Sequence, residues 1–174
     1  EKLLADVRRR YSHPDRQLFV TSGTSGGLLL ALWSTVNPGD EVVVFDPYFV
    51  MYPQIVALAG GTPVLIDTYP DFQIDIDRVR AALTPRTKAI LVNSPANPTG
   101  AVYARDTLRD LARLAAERGV LLMSDEVYRV FCYDAPFGSP AEFHEDVLVF
   151  DGFSKAYGMT GWRLGFAHGP RRLI

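Results

Sequence analysis

Short apolar, β-branched runs alternate along this chain with helix-patterned segments, and that alternation limits it to few folds. LFVTSG (18–23), EVVVF (41–45), PVLID (63–67), TKAILVN (87–93), VLLMS (120–124), VLVFD (147–151) and RLGFAHG (163–169) are strand candidates. EVVVF has no polar alternation after its first residue, the pattern of a strand covered on both faces. Between the runs lie helical stretches with their own punctuation. LLLALWSTV (28–36) is halted by Asn37-Pro38-Gly39, and a helix over about Tyr52 to Ala59 ends at Gly60-Gly61. Asp75 is placed to cap IDRVRAAL, and RDTLRDLARLAAERG is amphipathic and closed by Gly119. Strands separated by helices predict an α/β fold, a mostly parallel sheet between two helical layers. Such sheets bind ligands beyond the carboxyl ends of their strands, so the residues following each run carry the functional question.

With 174 residues the chain has room for about one domain with a full core. A formal net charge of −2 supplies no basic surface for nucleic acid or an anionic membrane, so neither is expected as a partner. No apolar run approaches the ~18 residues of a membrane span. The lone Cys132, in an FCY setting, cannot form an internal disulfide; it reads as a packed core thiol in a reducing compartment, and the predicted location is cytoplasmic. His13, His144 and His168 lack metal-ligand spacing, so no metal is expected. The chain starts inside an amphipathic helix (KLLADVRRRY) and stops where another helix is expected to begin, which reads as a segment of a longer protein.

Three polar clusters follow strand candidates. Ser22-Gly23-Thr24-Ser25-Gly26-Gly27 puts hydroxyls and glycines before a helix, which suits either an anion site at the helix N-terminus or a capped βα turn. Asn93-Ser94-Pro95-Ala96-Asn97-Pro98-Thr99-Gly100 is a rigid loop, either a plain turn or a mount for the Asn97 amide. In Ser124-Asp125-Glu126-Val127-Tyr128, Asp125 follows LLM and should be buried at a strand end, where a carboxylate needs a partner. A protonated pyridine nitrogen would serve; an N-cap acid followed by a packed aromatic is the plainer alternative. Tyr128 falls one turn on if a helix starts here. Tyr48-Phe49, after EVVVF, could cover a flat ring or simply join the core.

The most informative stretch is DGFSKAYGMTGWRLG (151–165). It places Lys155 after an apolar run and eight residues before Arg163. A lysine at the mouth of a sheet, partly desolvated and beside a second cation, has a lowered pKa and becomes a usable nucleophile. Arg163 offers a planar fork for phosphate. An imine-forming amine beside a phosphate clamp is the chemistry of a pyridoxal phosphate (PLP) site, whereas two surface cations on a loop would need no ligand.

Taken in order, FVTSGTSGG, DPYFVMY, NSPANPTG, SDEVY and FSKAYGMTGWRLG resemble the class I/II aminotransferases, the fold-type-I PLP enzymes, over nearly the whole chain. The resemblance implies a three-layer sandwich with a seven-stranded sheet, parallel except for the last strand. It implies that Lys155 forms the imine with PLP and moves the proton between the substrate's Cα and the cofactor. Asp125 would then pair with the pyridine nitrogen, while Tyr128 and Asn97 hydrogen-bond the phenolic oxygen. Thr24, Ser25 and Arg163 would hold the phosphate in a site shaped by the Gly23 turn, and Phe49, with Tyr48 as its substitute, would stack on the ring.

Gly152 stands where many relatives carry a phosphate-binding hydroxyl, so that either one phosphate contact is lost or Ser154 partly replaces it. The resemblance makes residues 1–174 the core of the PLP-binding large domain. The N-terminal segment, the partner-contacting tyrosine and the small C-terminal domain with its substrate-carboxylate arginine lie outside it. The implied activity is amino-group transfer between an amino acid and a 2-oxo acid by a homodimer. A PLP C–S β-lyase of the same fold, a ligand-sensing domain of a transcriptional regulator and a catalytically silent relative are the competing expectations.

Overall fold

In the computed structural model, which describes residues 1–11, 13–134 and 136–174, all seven apolar runs are strands of one sheet. They are β1 (Arg16–Ser22), β2 (Glu41–Asp46), β3 (Thr62–Asp67), β4 (Thr87–Asn93), β5 (Leu121–Asp125), β6 (Leu148–Gly152) and β7 (Leu164–Pro170), in the spatial order β1-β7-β6-β5-β4-β2-β3. β2 pairs in parallel with β3 and β4, β4 with β5, and β5 with β6. β7 is antiparallel to both neighbours, β6 and β1. The odd strand therefore lies inside the sheet, one place from the β1 edge.

Among the described residues, five α-helices flank the sheet: α1 (Lys2–Tyr11), α2 (Gly23–Thr35), α3 (Met51–Leu58), α4 (Ile76–Ala82) and α5 (Arg105–Arg118). Two apolar cores make the three layers. Val43 and Phe45 of β2 pack with Val7, Val79, Leu108 and Leu111 on the α1/α4/α5 face. Val42 and Val44 pack with Leu28, Leu32, Ile55 and Val56 on the α2/α3 face. The β-branched run thus feeds both cores, as a strand buried on both faces must. The expected caps are present: the Asp75 carboxylate accepts from the Asp77 and Arg78 amides, and Gly119 closes α5 at φ 64°.

Four local expectations are corrected. α2 starts at Gly23, five residues before the apolar stretch, because the glycine and hydroxyl residues form its first turns rather than a loop ahead of it. No α-helix follows Asp125; the chain turns, and Tyr128 precedes a short 3₁₀ helix (Arg129–Phe131). Cys132 is half-buried at the rim of a groove, outside both cores, because that turn carries it away from the sheet. The last residues form a turn at 171–173, not a helix.

Arg16 is fully buried at the start of β1. Its guanidinium donates to Nδ1 and the carbonyl of His168 and to the Glu145 and Val147 carbonyls, so its polar edge is satisfied without a carboxylate. Among the described residues, no helix is long and apolar enough to cross a membrane.

Candidate active site

The carboxyl ends of β1, β5 and β6, with the loops after β2 and β4, enclose a cavity of about 300 Å³. Thr24, Ser25, Phe49, Asn97, Asp125, Tyr128, Ser154, Lys155 and Arg163 all line it. Residues spread over most of the sequence meet here because parallel strands present their carboxyl ends on one side of the sheet. A larger groove of about 1050 Å³ adjoins it and shares Asn97 and Tyr128. The smaller cavity is the better candidate, since opposite charges and hydroxyls converge in it.

One part of the cavity suits an anion. Gly23 turns the chain from β1 into α2 at φ 69°, and Ser22 makes no side-chain cap, which leaves the first-turn amides to a ligand. A Cβ at Gly23 would stand 2.5 Å from the Arg163 guanidinium, so only glycine lets the arginine lie against the helix start. Arg163 itself sits at φ 50° and donates to the Thr160 carbonyl at 3.0 Å. Gly152 is explained by the same crowding. A Cβ there would meet Thr24 Oγ1 at 3.1 Å, so the hydroxyl of Thr24 occupies the space that a larger residue would need. Ser154, buried on the next turn, contributes a further hydroxyl to the lining.

Another part of the cavity is acidic and buried. Asp125 is the last residue of β5 and only 4% exposed. Burial pushes its carboxyl up to about 6, against two donors that stabilise the anion. Oδ1 accepts from the Val127 amide at 3.2 Å, and Oδ2 accepts from the Tyr52 hydroxyl at 2.8 Å. Asn93 braces this corner: its Nδ2 donates to the Asp125 carbonyl, while its Oδ1 accepts from the Asn97 amide at 2.8 Å. The Asn97 loop is thereby tied to the end of β5.

Lys155 also lines the cavity, on a turn beyond β6, with Nζ 5.8 Å from the centre of the Tyr128 ring. The expected desolvation is not found. Lys155 is exposed, because the turn carries it past the strand end and the cavity is open above it. Phe49 lines the cavity and packs edge-on against Tyr52, with ring centres 5.5 Å apart. Tyr48 does not line it; its side chain borders a separate small space with Tyr52 and Asn97.

Residues 1–174 match the family described as aminotransferase class I and II. The chain belongs to that family. The aspartate/prephenate aminotransferase of Thermus thermophilus is 47% identical over 161 residues, which are 91% of this chain and 42% of that protein. A solved structure of a Thermus thermophilus aspartate aminotransferase mutant superposes with a TM-score of 0.95 at 45% identity, covering 99% of this chain and 49% of that one. Aspartate aminotransferase from Thermotoga maritima gives 0.93 at 38% identity, over 98% and 48%. This chain therefore spans a little under half the length of these relatives. Their names favour neither the lyase nor the regulator expectation.

Class I/II aminotransferases depend on PLP, and the cavity suits that group. Its cradle of Gly23, Thr24 and Arg163 fits a phosphate, and its buried carboxylate fits a protonated ring nitrogen. Sequence reasoning missed Tyr52 and Asn93, whose side chains hold Asp125 and the Asn97 loop. Both lie inside quoted motifs, DPYFVMY and NSPANPTG, but their roles depend on contacts with another strand.

Proposed function

We propose that this chain is the cofactor-binding large-domain core of a PLP-dependent aminotransferase. In this reading the complete protein transfers an amino group between an amino acid and a 2-oxo acid. The names of its relatives make aspartate the first amino donor to test. The observation that carries the reading is one cavity lined by Gly23's neighbours Thr24 and Ser25, by Arg163, by the buried Asp125 carboxylate and by Lys155.

Thr24, Ser25, Ser154, Arg163 and the first-turn amides of α2 would hold the phosphate, where the helix dipole and the guanidinium both favour negative charge. Asp125 would face the ring nitrogen, Asn97 and Tyr128 the phenolic oxygen, and Phe49 the ring face. PLP, when bound, supplies an electron-accepting ring for the pair released when the substrate's Cα–H bond ionises. Lys155 Nζ would form the covalent link to the cofactor. Once displaced by the substrate amine, it would take the proton from Cα and return it to the cofactor's C4′. Its exposed position suits both roles, since the amine must swing between a bonded and a free state. Homodimer formation and a cytoplasmic location complete the reading, supported by the resemblance and by the solitary cysteine.

The test is borohydride reduction of the full-length protein with PLP, followed by peptide mapping. A pyridoxyl adduct on Lys155 is expected, together with turnover of aspartate. An adduct on another residue, or none at saturating PLP, would overturn the reading.

A further inference from the structure

Tyr52 lines the candidate cavity beside Asp125, and its hydrogen bond to that carboxylate gives it a task beyond packing. Its ring is buried, with 3% exposure, on the first turn of α3. Its hydroxyl donates to Asp125 Oδ2 at 2.8 Å across 73 residues of sequence. Its own amide donates to the Phe49 carbonyl, and its ring meets the edge of Phe49. One turn of chain thus holds two aromatics that line the cavity, one of which donates to the carboxylate. We infer that Tyr52 is a positioning residue that keeps Asp125 anionic and so holds the proton on the ring nitrogen of the bound cofactor. The inference rests on the proposed PLP site.

A carboxylate facing a pyridine nitrogen can share the proton in two ways, as carboxylate with pyridinium or as carboxylic acid with neutral pyridine. No net charge changes between them; only the proton moves. In a dry site the neutral pair is favoured, because burial penalises both charges. Donors to the carboxylate tip the balance back. Asp125 has two from the protein, the Val127 amide at 3.2 Å and the Tyr52 hydroxyl at 2.8 Å, and the second is the shorter. The phenol is a dependable donor, since burial and the facing carboxylate push its own pKa well above the ordinary value and keep it protonated.

The other groups around the pair do not replace it. Asp151 is a nearby buried carboxylate that works against ionisation of Asp125, and it is engaged by Arg129 Nε at 2.5 Å. Tyr103 and Tyr128 make no hydrogen bond to the Asp125 side chain, whose donors among the described residues are the Tyr52 hydroxyl and the Val127 amide. The aromatic ring of Tyr52 belongs to the α2/α3 core, so the position reads as core filler unless its hydroxyl is followed to its acceptor.

The test uses the full-length protein reconstituted with PLP carrying ¹⁵N in the ring, and follows the nitrogen shift with pH. In the wild type the nitrogen should stay protonated to higher pH than in Tyr52→Phe, where its apparent pKa should fall by about one to two units, the worth of a hydrogen bond to a charged group. The turnover number should fall with it, while KM for the amino acid changes little. Ile55→Val, one turn along the same buried face, is the packing control and should leave the shift alone. Should Tyr52→Phe fail to fold, 3-fluorotyrosine at position 52 decides the matter. It keeps the shape and donates more strongly, so the nitrogen's pKa should rise. Wild-type ¹⁵N titrations in these variants would overturn the inference while PLP capture by Lys155 stood. A protein that captures no PLP would overturn the proposed function and this inference with it.

Discussion

Gly165→Ala tests whether the anion cradle depends on the close approach of β7 to the start of α2. Gly165 stands opposite Thr21 on one side and Gly152 on the other. A Cβ at this position would lie 2.6 Å from the Gly23 carbonyl carbon, 2.8 Å from the Thr24 nitrogen and 3.0 Å from the Gly23 Cα. All three are backbone atoms, so no side chain can swing away. Ordinary contact begins near 3.4 Å, and the start of α2 must therefore withdraw by about 0.8 Å (3.4 − 2.6). Strain of this kind costs about 1–3 kcal/mol, a fall in melting temperature of about 2–12 °C for a domain of this size. The larger effect should be on the cofactor. The same withdrawal moves the Thr24 amide and hydroxyl out of hydrogen-bond range of a phosphate, and PLP affinity should fall at least tenfold, about 1.4 kcal/mol. Thermal melts and PLP titrations of the full-length protein measure both, with Gly161→Ala as control because nothing lies within 4 Å of a Cβ there. PLP affinity within about twofold of wild type, a difference of only ~0.4 kcal/mol, would refute the cradle.

Two further outcomes are expected. On the proposed function, Asp125→Asn in the full-length protein should keep most of its PLP affinity but slow single-turnover proton loss at least ~100-fold, because an amide would not balance a pyridinium charge; near-wild-type rates would assign that role to another residue. Glu126, fully buried on hydroxyl donors from Tyr11, Ser124 and Ser139, has its carboxyl pushed up by burial to about 7. Its folded pKa lies above the unfolded value, so its contribution to stability is complete below about 4.5 and is lost as pH rises through about 7. Glu126→Gln should therefore gain on the wild type across that window by about 3 kcal/mol at most, read from urea unfolding of the apo-protein at several pH values; a constant difference would contradict it.

The sequence by itself determined most of the elements and named most of the residues that line the candidate site. EVVVF declares a strand buried on both faces, Asp75 and Gly119 mark helix ends, and Lys155, Asp125 and Arg163 stand in motifs whose spacing carries chemistry. These signals are local, since periodicity, capping and turn preference act within a few residues. Only the tertiary structure decided that β7 enters the sheet between β6 and β1, and that α2 absorbs the glycine cluster. It alone paired Tyr52 with Asp125 across 73 residues and Tyr11 with Glu126 across 115. It also placed Lys155 in the open, where its sequence neighbours suggested burial. Such contacts depend on strand order and on the packing of helices against the sheet. No single segment contains either, because both arise only when distant segments bury their apolar faces together.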